Sequence, residues 1–167
     1  EARYRFLRSL NGTIATAHTA DDNAETVLLH LLRGSGLRGL GGVTLKSEGL
    51  IRPMLDVTRA EVEEFLNENY IRHREDSSNE TDAFLRNRLR HHVMPLLAAE
   101  NPKFAPNASR MALRLRQDEA YIQAQTTKTT EVSALLDMHP ALRARAMAAF
   151  LEDAGVKEPS AQQIGSV

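Results

Sequence analysis

An α/β fold is predicted for the first part of this 167-residue chain, and a run of helices is predicted for the rest. Two short runs, Thr13–Ala17 and Leu50–Arg52, have the composition of strands, and segments of helical periodicity surround them. Past the two prolines of Asn101–Asn107, the apolar spacing is helical. Strands that alternate with helices are typical of a parallel sheet. We therefore expect a parallel-sheet domain over residues 1–100, a linker helix over 101–125 and the start of an all-helical domain over 126–167.

The clearest helix of the first half follows the first predicted strand. Its apolar residues recur at intervals of three and four, as one face of a helix requires: Ala24, Val27, Leu28, Leu31 and Leu32. Asp22 and Glu25 resemble a capping box with Asp as the cap, so the helix is expected to begin between His18 and Asp22. Upstream, Glu1–Leu10 has the pattern of a helix end.

Two more helices are expected before residue 100. Thr58 and Glu61 form a second capping-box pair, which predicts a helix that runs to about Asn69. The apolar side chains expected to face the core are Val62, Phe65 and Leu66. A basic helix is expected from about Leu85, with Pro95 near its end because proline disrupts helix interiors.

The second half of the chain is expected to be helical. A long helix should end near Gln125, and another should begin at Pro140, because proline suits the first helical position. Gly155 is expected to stop that helix. Ser160 and Gln163 have the spacing of a capping box and predict the start of one more helix.

Composition narrows the possible classes of protein. Hydrophobic residues make up 42% and charged residues 26% of the chain, as in soluble globular proteins, so a buried core is expected. The absence of cysteine excludes disulfides, thiolate nucleophiles and cysteine-ligated zinc, and it favours the reducing cytoplasm. No apolar stretch approaches the roughly 20 residues that span a bilayer. Residues 71–116 hold nine Lys or Arg against five Asp or Glu, which suits a polyanionic partner.

The stretch from His18 to Thr26 lies where the first predicted strand ends and the first helix begins. Ligands bind at this edge of open α/β sheets, because helix N-termini present free N–H groups and the positive end of the helix dipole. The three carboxylates and the imidazole of this stretch suit a hydrated Mg²⁺ or a proton acceptor. Acidic residues also occur in first helical turns simply because they stabilise them. The spacing alone leaves both interpretations open.

Two further patterns allow contacts with phosphate groups. Residues 33–43 contain five glycines but neither the Walker A nor the Rossmann pattern. A connecting loop is therefore the first expectation, with Arg33 and Arg38 as phosphate contacts the alternative. Arg86 and Arg90 are one helical turn apart and share a face that suits phosphates, although a solvated helix face has the same pattern.

Three longer motifs follow one another along the chain: Ala17–Thr26, Leu32–Leu40 and Arg74–Arg90. Shorter ones are Ile51-Arg52-Pro53 with Arg59, Asp76-x-Ser78-Asn79, Arg86-Asn87-x-x-Arg90 and Pro95-Leu96. In this order and separation they closely resemble the tRNA(Ile)-lysidine synthetase family. The family's first motif is His-x-Ala-Asp-Asp-Gln-Ala-Glu-Thr, and Asn23 replaces its glutamine. The resemblance is close from Thr16 to Pro102 and looser beyond.

The resemblance implies an N-type ATP pyrophosphatase fold, here incomplete, and an enzyme that modifies tRNA. Such an enzyme uses ATP to adenylate the wobble cytidine of tRNA(Ile) with a CAU anticodon. Free lysine then displaces AMP to give lysidine. ATP and Mg²⁺ are the implied cofactors, tRNA(Ile) and free lysine are the implied partners, and a homodimer is among the assemblies allowed.

The same resemblance implies functional residues by position. The expected active-site residues are His18, Asp21, Asp22, Glu25 and Thr26. The expected contacts to phosphates of ATP or tRNA are Arg33, Gly34, Gly36, Arg86, Asn87 and Arg90, and the expected structural or substrate loop holds Asp76, Ser78 and Asn79. Asp21 and Asp22 are expected near Mg²⁺ or the lysine amine, with Glu25 orienting them.

One motif of the family does not occur in these 167 residues. Its phosphate loop, Ser-Gly-Gly-x-Asp-Ser, would precede Glu1, so this chain alone is expected neither to hydrolyse ATP nor to form lysidine. Two other functions stay open: a tRNA-docking module without catalysis, and a related ATP pyrophosphatase that thiolates tRNA. The second is disfavoured, because such enzymes generally use reactive cysteines or an iron–sulfur cluster.

Overall fold

The computed structural model of the chain describes residues 5–7, 9, 12–47, 49–73, 81–129, 131–157, 159 and 163–164. The chain divides into two compact units, Glu1–Arg116 and Gln117–Val167. The domain limits expected from the sequence, near residues 100 and 125, stay predictions.

A three-stranded sheet lies in the first unit. Its strands are β1 (Ile14–Ala15), β2 (Lys46–Ser47) and β3 (Leu50–Ile51), in the order β1–β3–β2. β1 and β3 are parallel, as predicted, whereas β2 pairs antiparallel with β3. The expectation of a parallel sheet is thus wrong for β2, because the connection from β2 to β3 is too short for the crossover that parallel neighbours need. The sheet is mixed.

Helix α1 (Ala20–Leu32) begins in the predicted place but with a different cap. The Asp22 N–H donates to the Thr19 hydroxyl (3.3 Å), and the Thr19 N–H donates to Oδ2 of Asp22 (2.9 Å). Thr19 is therefore the cap, and Asp22 is the third helical residue of the capping box. This corrects the assignment of Asp22 as the cap, and it means that the Asp22 carboxylate is held in place by the start of the helix.

Helices α2 (Leu37–Leu40) and α3 (Arg59–Glu68) follow. α2 is one helical turn inside the glycine-rich segment, where the sequence predicts a loop. α3 has the predicted capping box: the Glu61 N–H donates to the Thr58 hydroxyl (3.2 Å), and the Thr58 N–H donates to Oε2 of Glu61 (2.7 Å). The prediction that Phe65 faces the core is wrong, because Phe65 is 58% exposed.

The predicted basic helix is three segments in direct succession: α4 (Leu85–Arg88), a π-helical turn (Leu89–Val93) and α5 (Met94–Glu100). Pro95 lies in the first turn of α5 and not near the end of the helix as predicted. Proline has no N–H, and its ring clashes with the carbonyl four residues back, so an α-helix does not continue unchanged through it. The wider π-helical turn accommodates this interruption.

Three helices complete the fold: α6 (Phe104–Ala124), α7 (Val132–Asp137) and α8 (Pro140–Asp153). α6 ends within one residue of its predicted end, and α8 begins at its predicted proline. Gly155 follows the end of α8 with a φ of +92°, a left-handed conformation that glycine adopts without strain.

The second unit has a small core of its own, formed by Leu135, Ala146 and Met147. Its all-helical character stays a prediction, and the predicted cap Ser160 lies outside the described residues. Among the helices that the structure describes, none is long and apolar enough to cross a membrane.

A buried amide joins three segments of the first unit. Asn23 of α1 is 3% exposed; its Nδ2 donates to Oγ of Ser109 on α6 (2.8 Å), and its Oδ1 accepts from the Val43 N–H (2.7 Å). The Ser109 hydroxyl in turn donates to the Leu55 carbonyl (3.1 Å). Gly42 packs so closely that a Cβ there would clash with Oδ1 of Asn23. The residue that replaces the family's glutamine therefore fixes the glycine-rich segment against α1.

We expect Gly42→Ala to lower the free energy of unfolding by about 1–3 kcal/mol more than Gly34→Ala does, which is the usual cost of overpacking. The two glycines have similar positive φ angles, +61° and +69°, so alanine meets similar backbone strain at both positions. Only at position 42 does the added methyl group meet Asn23; at position 34 no described atom lies within 4 Å of it. Urea unfolding of the two variants measures the difference. Equal losses would show that Asn23 does not constrain this segment.

Candidate functional site

A cavity of about 570 Å³ opens at the edge of the sheet where β1 ends. Residues 15–18, at the end of β1, form one side of it. The other lining residues are Leu7, Asp22, Arg86, Asn87 and Arg90. The cavity therefore lies at the carboxyl end of a parallel strand and the N-terminus of α1, where α/β sheets bind ligands.

Four charged side chains meet beside the cavity, and we call them the acid–arginine cluster: Asp22, Glu25, Arg86 and Arg90. Glu25 is 1% exposed. Arg90 contacts both of its oxygens, with Nε 2.6 Å from Oε1 and a terminal nitrogen 2.8 Å from Oε2. Arg86 donates from Nε to Oε2 at 2.9 Å. Because a buried carboxylate is tolerated only when it is paired, these two arginines make the burial of Glu25 possible.

Asp22 is the second acid of the cluster. Its Oδ1 accepts from Arg86 and from Arg90, both at 3.1 Å, and its Oδ2 accepts from the N–H and the hydroxyl of Thr19, at 2.9 and 3.0 Å. Burial alone would raise the pKa of this carboxyl group. The Thr19 hydrogen bonds and the charges of Arg86 and Arg59 outweigh burial and hold the pKa below its ordinary value. Asp22 is therefore an anion at neutral pH.

The two halves of the cluster come from distant parts of the chain. The acids are three residues apart on α1, and the arginines are four residues apart across α4 and the π-helical turn, so each pair lies on one side of its segment. The hydrogen bond to Glu25 raises the pKa of Arg90 against the opposing effect of burial, so Arg90 is a permanent cation. The structure thus places Asp22 and Arg86 in direct contact.

Three more predicted residues lie on α1 or just before it. His18 lines the cavity, and its Nδ1 is 2.9 Å from the Thr16 hydroxyl. Oδ2 of Asp21 accepts from the backbone N–H of Arg59 (2.7 Å), which ties α1 to α3. Thr26 donates its hydroxyl to the carbonyl four residues before it (2.8 Å). Asp21 and Thr26 therefore make structural contacts, while His18 faces the space that a ligand would occupy.

The predicted phosphate contacts are divided between two places. Asn87 lines the cavity with Arg86 and Arg90, and its Nδ2 donates to the Thr81 carbonyl (2.7 Å). The others, just past the end of α1, are Arg33, Gly34 and Gly36. They are roughly 16 Å along the helix from Asp22, and they do not line the cavity. The predicted loop residues Asp76, Ser78 and Asn79 lie outside the described residues.

The chemistry around Asp22 does not fit a Mg²⁺ ligand. Mg²⁺ takes an octahedral shell of oxygens, several of them from water. Both Asp22 oxygens already accept hydrogen bonds, and the guanidinium groups of Arg59, Arg86 and Arg90 lie within 4.0 Å of Oδ1, where they repel a cation. Within the described ranges, no group of three or more His, Asp or Glu side chains is arranged to hold a metal. Asp22 suits N–H donors such as an ammonium or guanidinium group better.

Sequence reasoning missed Thr19, the residue that fixes Asp22. Thr19 supplies two hydrogen bonds to Oδ2 and caps the helix. The signal was present, because Thr19-x-x-Asp22 has the same spacing as the Thr58-x-x-Glu61 box that the sequence identified.

Sequence comparisons relate the chain to named proteins. The family described as PP-loop domain matches residues 1–97. A tRNA(Ile)-lysidine synthase from Porphyromonas gingivalis is 44% identical over 149 residues, which cover 89% of this chain and 30% of the relative. Relatives of the same name from Solibacter usitatus and Geobacillus kaustophilus are 46% and 38% identical, over 65% and 72% of this chain and 25% and 28% of their own lengths. The chain spans less than a third of each of these relatives.

The lowered pKa of Asp22 predicts a pH-dependent contribution to stability. A carboxyl group whose pKa is lower in the folded state stabilises the fold above its ordinary value of 3.8 and loses that contribution as the pH falls through the folded pKa. Asp22→Asn should therefore lower the free energy of unfolding by about 1–3 kcal/mol near neutral pH, because it weakens hydrogen bonds to a charged group. The gap to the wild type should close progressively below pH 3.8.

Urea unfolding at a series of pH values measures this gap. Asp118→Asn, an exposed position on α6, is the matched control, and it should stay within about 0.5 kcal/mol of the wild type throughout. A gap for Asp22→Asn that does not narrow under acid conditions would show that its ionised form contributes nothing to the fold.

Proposed function

The chain belongs to the PP-loop domain family, and from this membership we propose that it forms part of the active site of a tRNA(Ile)-lysidine synthase that acts in the cytoplasm. In the proposed reaction, ATP adenylates the wobble cytidine of tRNA(Ile) with a CAU anticodon, and pyrophosphate leaves as the bond between the α- and β-phosphates breaks. Free lysine then displaces AMP, and a carbon–nitrogen bond forms. The relatives described above carry this name, which supports the choice of substrates.

One observation carries the proposal: the acid–arginine cluster borders a cavity at the carboxyl edge of the sheet. Arginine N–H groups suit phosphate oxygens, and an ionised carboxylate suits a primary ammonium. The proposed reaction needs both kinds of group, because ATP and tRNA carry phosphates and lysine carries a positive charge.

The members of the cluster have different roles in this proposal. Glu25 and Arg90 are positioning residues, because they are buried or nearly so and hold each other through two hydrogen bonds. Arg86 is the phosphate contact, because its side chain is 38% exposed and lines the cavity. Asn87 lines the cavity beside it and is a second candidate contact.

Asp22 orients the amine of lysine in this proposal, and His18 accepts its proton. An amine attacks only in its neutral form, so an ammonium held by a carboxylate must lose a proton before the new bond forms. His18 lines the same cavity as Asp22. Imidazole is the side-chain group that most often serves as a general base in enzymes.

The family also implies the use of ATP. Mg²⁺ neutralises phosphate charge when it enters with the nucleotide, but Asp22 is unsuited to hold it. In this proposal, three predicted phosphate contacts just past the C-terminal end of α1 bind phosphates of the tRNA: Arg33, Gly34 and Gly36. The roles of Asp21 and Thr26 are to support the first turn of α1, and a homodimer stays a prediction.

The geometry favours catalysis over docking alone. A docking module needs its basic side chains turned towards the solvent, whereas Arg86 and Arg90 contact the acids of α1.

We expect Asp22→Asn to reduce lysine-dependent turnover about 100-fold or more, the usual effect of removing one electrostatic contact at a reacting centre. The measurement is incorporation of labelled lysine into a CAU-anticodon tRNA(Ile) transcript, with ATP, by the complete gene product that contains these residues. Asp118→Asn, exposed and remote in sequence from the cluster, should retain wild-type turnover.

Wild-type turnover by the Asp22 variant would refute the proposed role of the cluster. The 167-residue chain by itself is a further arm of the assay, and it is expected to show no turnover.

A further inference from the structure

Every carboxylate oxygen of the acid–arginine cluster already accepts a hydrogen bond. Oδ2 of Asp22 is occupied by Thr19, and Oδ1 accepts from both arginines. Oε1 of Glu25 accepts from Arg90, and Oε2 accepts from Arg86 and Arg90. Each Asp22 oxygen thus accepts two hydrogen bonds, and Glu25 is only 1% exposed, so an incoming ammonium has to displace one of these partners before it can bind.

Arg86 is the partner best placed to leave. Its side chain is 38% exposed, against 18% for Arg90, and both line the cavity. If Arg86 turns away, Arg90 still contacts both oxygens of Glu25 and Oδ1 of Asp22. The buried charge of Glu25 thus stays paired with Arg90, although its Oε2 loses the hydrogen bond from Arg86. Oδ1 of Asp22, a residue that lines the cavity, gains room for a new donor. Loss of Arg90 would instead leave Oε1 of Glu25 without its partner.

We propose that Arg86 couples phosphate binding to amine binding: a phosphate group that enters the cavity draws Arg86 away from Asp22, and the vacated oxygen then accepts a primary ammonium. This inference rests on the proposed function and adds an order to it. Arginine forms its strongest hydrogen bonds with phosphate, often through two parallel N–H groups. Arg86 contacts Asp22 and Glu25 and also lines the cavity. A phosphate group in the cavity therefore competes with these two acids for the same cation.

The coupling has to be reciprocal. If phosphate binding raises the affinity for lysine by some factor, lysine raises the affinity for the phosphate ligand by the same factor. In coupled sites, binding of one ligand commonly changes the affinity for the other by about 5- to 150-fold. The arrangement also favours amine binding after the nucleotide has entered, which protects the carboxylate from other cations until then.

The test measures lysine affinity by calorimetry in the complete gene product, with and without an ATP analogue that cannot be cleaved between its α- and β-phosphates. In the wild type, a saturating concentration of the analogue should tighten lysine binding by about 5-fold or more. In Arg86→Gln, lysine should bind without the analogue about as tightly as it binds the wild type with it. The analogue should then change the affinity less than about 2-fold.

Arg88→Gln is the matched control. Arg88 lies on the same helix, is exposed and donates to the carbonyls of Asp82 and Ala83, so its loss should leave the coupling at the wild-type level. Arg86→Lys is a second variant in case the glutamine variant does not fold, and it should also lose most of the coupling, because an ammonium lacks the planar fork of N–H donors with which a guanidinium binds carboxylate and phosphate. A CAU-anticodon transcript added without nucleotide shows whether RNA phosphates produce the same effect.

The outcomes separate the two proposals. Lysine affinity that depends on Asp22 but is indifferent to both the analogue and the transcript would overturn the coupling and leave the proposed function standing. Coupling that persists in Arg86→Gln would overturn the role of Arg86 in the same way. Lysine binding that is equal in the wild type and Asp22→Asn would refute the proposed function, and the coupling with it.

Discussion

The buried charge of Glu25 is the constraint on which the candidate site depends. A carboxylate with 1% exposure carries a desolvation penalty of several kcal/mol, which only close, hydrogen-bonded cations offset. Those cations are Arg90 and Arg86, more than 60 residues along the chain, so pairing the charge brings α4 and the π-helical turn against α1. The ion pairs that offset the burial of Glu25 therefore also border the cavity.

The start of α1 is held from several sides, and this gives the site its rigidity. Thr19 fixes the Asp22 carboxylate, Asp21 accepts the backbone N–H of Arg59 at the start of α3, and the Asn23 amide reaches both the glycine-rich segment and α6. Successive residues of one helical turn thus contact different parts of the unit. Functional groups held in this way keep their geometry while one exposed partner moves, and Arg86 is such a partner.

Features with a local cause could be predicted from the sequence, and features with a distant cause could not. The Thr58 capping box and the helix start at Pro140 follow from neighbours within one turn. The sequence also showed that Arg86 and Arg90 share a face, but the spacing cannot tell what that face contacts. In the structure it contacts the buried Glu25 and the partly buried Asp22. β2 went unpredicted because its two residues are polar and exposed. The distance of Arg33 from Asp22 could have been predicted, because the length of α1 alone sets it.

The central claim, that Glu25 is buried as an anion because Arg90 pairs with it, is tested most directly by a double-mutant cycle on the free energy of unfolding. Glu25→Gln and Arg90→Gln, singly and together, supply the four proteins. The account predicts that each single variant costs about 3–5 kcal/mol, because it removes one member of the doubly hydrogen-bonded pair of Arg90 with the buried Glu25, and that the double variant costs little more than either. Losses that simply add would contradict the account, because they would mean that the two side chains do not depend on each other.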